Sequence, residues 1–257
     1  MTGKRKHVSP SLRQAGIHEL VTKRGEVSVE LLAAKFGTSS ETIRRDLTVL
    51  ANAGQLRKVH GGARAAAAHG EGGFDARMRR NPLAKHLIAE KTAKLIKPRQ
   101  TLFLDTGSTT LICAEALAKI KNLTIITNST RIAATFAAGT GKAEVYLLGG
   151  LYRGDNAQTV GAGAINEIGS YQADFAILTA GAVNHGGMMD FSRQEAMVAQ
   201  AMAAASARVI ALADHSKLNK RAAFKACDLE DLNILISDGT PDGALTKSLH
   251  AAGVEIL

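Results

Sequence analysis

Apolar residues near the start of the chain recur at helical spacing. Ile17, Leu20 and Val21 form one face, which stops at Gly25. Val29, Leu32, Ala33 and Phe36 follow at i, i+3, i+4 and i+7, and Gly37, suited to the left-handed end of a helix, closes that run. Thr38, with Glu41 three residues on, reads as a capping box that starts a third helix. On it Ile43, Leu47, Leu50 and Ala51 make the buried stripe, and Gly54 ends it. Two short helices around a tight Gly-containing turn predict a helix-turn-helix. Residues 56–59, followed by Gly61 and Gly62, predict a β-hairpin, hence a wing.

Beyond residue 74 the pattern alternates. Continuous apolar runs at 102–105, 123–127, 145–148, 175–179, 209–213, 234–237 and 254–257 read as strands. Helix-like stretches at 109–120, 129–138, 192–206 and 242–252 lie between them. This alternation predicts an α/β domain around a mainly parallel sheet, with ligand chemistry expected at the carboxyl ends of its strands. Ala65 to Gly73 is a low-complexity, Ala/Gly-rich stretch without an amphipathic pattern. It divides the chain into residues 1–64, a linker 65–73 and residues 74–257. No internal repeat at solenoid periods is present.

Charge reinforces that division. The net charge is +9, with hydrophobic residues at 46% and charged residues at 21%, an ordinary globular balance. Residues 1–64 hold twelve Lys+Arg against five Asp+Glu, a net of +7; residues 65–257 hold 20 against 18, a net of +2. A basic module that binds a polyanion, attached to a nearly neutral body, fits that distribution. No apolar run approaches the roughly 18 residues of a membrane span, so no membrane partner is expected. Met1 to Pro10 is basic and polar, without the apolar core of a secretory leader. Cys113 and Cys227 form neither a CxxC pair nor a disulfide framework, which suits a reducing cytoplasm. With no Trp and only seven Phe and three Tyr, a stacking platform for single strands is disfavoured, leaving duplex DNA as the expected polyanion.

On the third helix Arg45 points about 200° away from Ile43, opposite the apolar stripe. Glu41, Thr48 and Asn52 share that outer face, flanked by Thr42 and Arg44. In a helix-turn-helix this is the surface that enters the major groove, where Arg reaches guanine and hydroxyls reach phosphate or base. The candidate DNA-contacting residues are Thr38, Ser40, Thr42, Arg44, Arg45 and Thr48 on the helix, with Arg57, Lys58 and His60 on the wing. The alternative is a solvated face in which Arg44 and Arg45 pair with Glu41 or Asp46.

The residues Thr42-Ile43-Arg44-Arg45-Asp46-Leu47, followed by Leu56-Arg57-Lys58-Val59-His60-Gly61-Gly62-Ala63, resemble the DNA-binding domain of the DeoR family of bacterial repressors, closest to its glycerol-3-phosphate repressor branch. The resemblance implies a winged helix-turn-helix that binds double-stranded operator DNA as a dimer or tetramer. It also implies a C-terminal domain that senses a phosphorylated sugar or polyol.

Three strand ends in that body carry suitable chemistry. Asp105-Thr106-Gly107-Ser108-Thr109-Thr110 runs from strand to helix, where Gly107 admits close approach and the helix N-terminus offers N–H groups to phosphate; a plain helix cap is the alternative. Thr127-Asn128-Ser129 is a second such turn, and Gly149-Gly150-Leu151-Tyr152-Arg153 a third, with Arg153 an anion partner; each reads equally as a turn alone. The same segments resemble the DeoR-type effector domain, related in fold to ribose-5-phosphate isomerase. On that resemblance Asp105, Gly107, Ser108, Thr109 and Thr110 form the phosphate-and-hydroxyl loop. Thr127, Asn128, Gly149, Gly150 and Arg153 line the same site, and Glu195, Asp214 and Lys217 join it.

The segment Ala180–Met189 departs from the isomerases, holding neither acid nor lysine, only His185, whereas an isomerase moves a proton with a positioned base. Thr179-Ala180-Gly181-Ala182 also carries less glycine than many family members, which bears on the sugar end of the site. Dinucleotide, P-loop, zinc and GxSxG patterns are absent, so neither cofactor nor metal is expected. The resulting expectation is a repressor of a carbohydrate or polyol operon, not an enzyme. The alternatives are a sugar-phosphate isomerase with a DNA-binding extension, or an activator.

Overall fold

The computed structural model describes residues 9–52, 55–65 and 72–257. Gly54, the core of the expected linker and the start of the chain lie outside them, as do the side chains of Asn52 and Arg57. The chain divides into two compact units, Met1–Arg79 and Arg80–Leu257.

The first unit runs α1 (Pro10–Arg24), β1 (Glu26–Ser28), α2 (Val29–Phe36), α3 (Ser40–Asn52), β2 (Leu56–Val59), β3 (Gly62–Ala65) and α4 (Phe74–Arg79). Gly25 (φ 78°) and Gly37 (φ 62°) end α1 and α2 as expected. The strands make an antiparallel sheet in the order β1-β3-β2, so the hairpin β2–β3 is the wing. Gly62 lies against β1 so closely that a Cβ there would stand 2.4 Å from the Val27 carbonyl oxygen. Ile17, Leu20, Val21, Val27, Val29, Leu32, Ile43, Leu47, Leu50, Leu56 and Ala63 form one core, so the three helical stripes and the wing converge on a shared interior. The α4 helix, which the sequence pattern puts at the head of the α/β domain, clusters with this unit instead. Its Phe74 is buried beneath the Arg77 guanidinium, 5.5 Å from the ring centre.

The second unit contains α5 (Pro82–Leu95), β4 (Thr101–Leu104), α6 (Ser108–Leu117), β5 (Thr124–Thr127), α7 (Thr130–Ala137), β6 (Glu144–Leu147), β7 (Leu151–Arg153), β8 (Gln158–Val160), α8 (Ala162–Ile168), β9 (Ala173–Thr179), β10 (Ala182–Asn184), β11 (Gly187–Asp190), α9 (Arg193–Ala204), β12 (Ser206–Leu212), a 3₁₀ turn (His215–Lys217), β13 (Phe224–Cys227), β14 (Ile234–Ile236), α10 (Gly243–Ala251) and β15 (Glu255–Ile256). A seven-stranded sheet has the order β15-β14-β12-β9-β4-β5-β6, and its pairings are parallel. Those strands are the seven apolar runs of the sequence. They read as continuous runs because the inner strands are covered on both faces. Parallel pairing places the ends of β4, β5, β6, β9, β12 and β14 along one edge. The ladders β7–β8 and β10–β11–β13 are antiparallel additions that the pattern does not reveal.

Candidate nucleic-acid interface and candidate ligand site

The outer face of α3 carries exposed Arg44 and Arg45, whose side chains are 58% and 80% accessible. Glu41 pairs with both, at 3.9 Å from Arg44 Nη1 and 3.4 Å from Arg45 Nε. Exposed pairs of this kind contribute about 0.2–1 kcal/mol, so a nucleic-acid phosphate or base competes with them easily. Lys58 Nζ reaches from the wing to Thr48 Oγ1 (3.0 Å), which itself donates to the Arg44 carbonyl (2.8 Å). His60 is exposed at the wing turn, and Thr38, Ser40 and Thr42 are half-buried where α3 begins.

Two expectations for this helix are corrected. The cap is Ser39, whose Oγ accepts the Thr42 N–H at 3.1 Å and lies 2.9 Å from the Thr42 hydroxyl. The helix starts one residue later than a Thr38 capping box requires, and Glu41 turns to the arginines instead. Asp46 is not their partner: it is buried and faces Arg13 of α1, with Arg13 Nε 2.5 Å from Oδ2, Nη2 3.3 Å from Oδ1, and Gln14 Nε2 2.9 Å from Oδ1. A helical-wheel signal for this pair exists. Arg13 stands four residues before Ile17, and Asp46 three after Ile43, both on buried faces.

At the edge of the parallel sheet, Asp105 follows β4. Its Oδ2 accepts the Thr179 N–H at 2.9 Å, while its buried Oδ1 has no hydrogen-bond partner among the described residues. Burial pushes this carboxyl well above the usual carboxylate range; Asp190 and Glu195 push it the same way, and the Thr179 N–H and Thr110 hydroxyl oppose them. Gly107, which has no side chain to offer, is the N-cap residue of α6, and no side-chain cap bond is made there among the described residues. Thr110 instead donates to the carbonyls of Asp105 (3.0 Å) and Gly107 (3.1 Å), leaving the buried first turn, with Ser108 and Thr109, without a side-chain cap. An uncapped helix N-terminus attracts anions.

After β5, Thr127 Oγ1 accepts the Ser129 N–H (3.1 Å), and Asn128 bonds Thr106 Oγ1 (3.1 Å) and donates to the Thr159 carbonyl (2.9 Å). Glu195 Oε1 accepts from Gln158 (2.9 Å) and Asn156 (3.1 Å), so β8 ties the helix α9 to this web. Thr159 Oγ1 donates to the Leu148 carbonyl (2.8 Å), just before Gly149 and Gly150. The Gly149 N–H is taken by Glu167 (2.7 Å), and Arg153 is exposed against Gln194 (3.1 Å). Asp214 and Lys217 belong to the 3₁₀ turn after β12, where Asp214 is buried and Lys217 half-buried. Burial pulls the Lys217 ammonium down to about 8. The residues that sequence reading missed are Gln158 and Thr159, while Thr106 and Thr179 were quoted within their segments but given no role. Thr106 and Thr179 carry the strand-end signal of their neighbours, whereas Gln158 and Thr159 come from a strand without a pattern. His185 sits exposed at the tip of the β10–β11 hairpin. Among the described residues no His/Cys/Asp/Glu group is arranged to hold a metal, and no helix is long and apolar enough to cross a membrane.

Comparison with known proteins agrees with this division. Residues 13–68 match the DeoR-like helix-turn-helix domain, and residues 80–239 the DeoR C terminal sensor domain. The chain is 33% identical to the glycerol-3-phosphate regulon repressor of Haemophilus influenzae, covering 91% of each. It is 36% identical to the transcriptional repressor AccR of Agrobacterium fabrum (88% of each), and 31% identical to the HTH-type transcriptional repressor CsqR of Escherichia coli (93% of this chain, 91% of that one). Among solved structures, ribose 5-phosphate isomerase A of Methanocaldococcus jannaschii aligns over 55% of this chain and 56% of that one, with 17% identity and a TM-score of 0.40. The chain belongs to the DeoR family of transcriptional repressors, a family of regulators and not of enzymes.

Proposed function

We propose that this repressor holds an operator of a carbohydrate or polyol operon through α3 and the wing, as a dimer or tetramer in the cytoplasm, and is released by a phosphorylated sugar or polyol. The observation that carries the reading is Asp105: a buried carboxyl with an unpartnered oxygen, three residues before an α6 N-terminus that no side chain caps. A ligand hydroxyl, which can donate or accept, satisfies the first and a phosphate the second, and one small molecule can carry both groups. Lys217, half-buried and with its proton loosened by burial, is the complementary cation. Asn128, Glu195 and Asp214 supply further polar atoms along the same edge, and three relatives take their names from the glycerol-3-phosphate regulon.

A thermal-shift panel of phosphorylated sugars and polyols tests this. A ligand at about a hundredfold excess over its Kd stabilises the native state by about 2.7 kcal/mol. The same ligand should weaken operator binding, and Ser108→Ala and Lys217→Met should remove the shift. A panel that shifts nothing, or shifts both variants like the wild type, overturns the assignment.

A further inference from the structure

Asn81 stands two residues into the second unit, at the head of α5. Asparagine is a favoured N-cap because its side-chain oxygen accepts a first-turn N–H, yet Asn81 makes no such bond. Its backbone takes the left-handed conformation (φ 49°), which asparagine tolerates better than most residues. The side chain is turned onto the 214–217 turn instead. Nδ2 donates to Asp214 Oδ1 at 3.0 Å and approaches Ser216 Oγ at 3.3 Å. The same Asp214 oxygen accepts the N–H (3.0 Å) and hydroxyl (2.5 Å) of Ser216, and the Lys217 N–H bonds the Asp214 carbonyl (2.8 Å). A second tie, Lys91 Nζ to the Ser237 carbonyl at 2.8 Å, holds α5 to the end of β14. The first residues of the second unit are therefore bonded to the turn that carries Lys217.

We propose that Asn81 is the positioning residue that couples this turn to the chain leading into the DNA-binding unit. A rearrangement at Asp214–Lys217 changes the acceptors of the Asn81 amide, and with them the start of α5 and the chain before it. The proposal rests on the reading above only for the identity of what binds at the turn. Coupling is reciprocal: if the turn biases DNA affinity, bound DNA must alter the turn, with no small molecule present.

The experiment uses the full chain and a duplex that the wild-type protein enriches from a random library. Hydrogen–deuterium exchange is followed in peptides spanning 208–224, with and without duplex. In the wild type, duplex binding should change exchange there by about fivefold or more, the lower end of ordinary coupling. In Asn81→Ser, which can cap α5 but cannot reach Asp214, the duplex should bind within about twofold of wild type while the exchange change disappears. Asn81→Gln, with the same amide on a longer arm, should restore it at least in part. No change in the wild type, or an undiminished change in Asn81→Ser, overturns the proposal. Failure of both variants to fold also overturns it, because the residue is then structural. A separate arm with glycerol 3-phosphate in thermal shift tests the ligand reading. Coupling in exchange with no shift by that probe or other phosphorylated polyols would sink the ligand reading and leave Asn81 as the coupler.

Discussion

Asp105 shows how a single residue can be bad for the fold and useful to a site. Its carboxyl is buried, one oxygen is unpartnered, and burial raises its pKa well above 3.8. The folded chain therefore keeps this proton where the unfolded chain has lost it. The stability that results is complete below the ordinary carboxylate pKa and is lost as pH rises through the folded value. Asp105→Asn abolishes the charge while its amide oxygen can still accept the Thr179 N–H. The variant should melt above the wild type at about pH 7.5, with the gap closing at about pH 4, as thermal unfolding at the two pH values would show. Gly107 makes the opposite case. Its φ of −160° is open to any residue, but a Cβ would stand 2.3 Å from Thr179 Oγ1 and 2.7 Å from Thr179 Cβ. Gly107→Ala should cost about 1–3 kcal/mol in chemical denaturation of the full chain, by crowding alone.

At the scale of elements, α3 is held by contacts that its outward arginines do not advertise. Ser39→Ala removes the cap and should cost about 1 kcal/mol, whereas Thr38→Ala should leave unfolding of the first unit nearly unchanged. Asp46→Ala leaves Arg13 buried without its carboxylate, a loss of about 3–5 kcal/mol that removes most of the stability of a domain at the low end of the ordinary range, visible as a lowered melting temperature of its helical signal. Both features sit in the sequence, yet only the structure ranks them. Thr38, Ser39 and Ser40 are three consecutive hydroxyl residues, any of which can cap, and one residue of helix start selects among them. Asp46 follows two arginines, and its inward turn is decided by an arginine 33 positions away. The inner parallel strands were legible because burial on both faces leaves an unbroken apolar run, while the edge strands β6 and β15 are largely exposed and were legible from their short apolar runs alone. Strands β7, β8, β10 and β11 have three or four residues each and no alternation, so the contributions of Gln158 and Thr159 to the site were invisible. Asp105, Gly107 and Asn128 could be read because a polar residue directly after an apolar strand stands out.

At the scale of the whole molecule, a net of +7 within residues 1–64 and +2 over the rest assigns nearly all long-range attraction for DNA to one unit. That attraction is sequence-blind and salt-dependent, so it cannot by itself make a repressor find an operator. Discrimination must come from side chains that reach base edges, and α3 separates the two roles by geometry. Arg45 is more exposed than Arg44 on the outer face and, among the described residues, pairs with Glu41 in an exposed contact, while Lys58 extends from the wing and is already bonded to Thr48. Arg45→Ala should therefore cost about 1–3 kcal/mol against a selected duplex, with little change against a random one. Lys58→Ala should weaken both duplexes alike and lower the slope of log K against log salt by about one. Titrating both variants against both duplexes over a salt series separates the roles. Equal losses on the two duplexes for Arg45→Ala would make it another phosphate contact, and base reading would then fall to Thr42, Arg44 and Thr48. In either result the nearly neutral second unit adds little to attraction. On the function proposed above, its influence on DNA is a change of state between forms with different DNA affinity, rather than added charge.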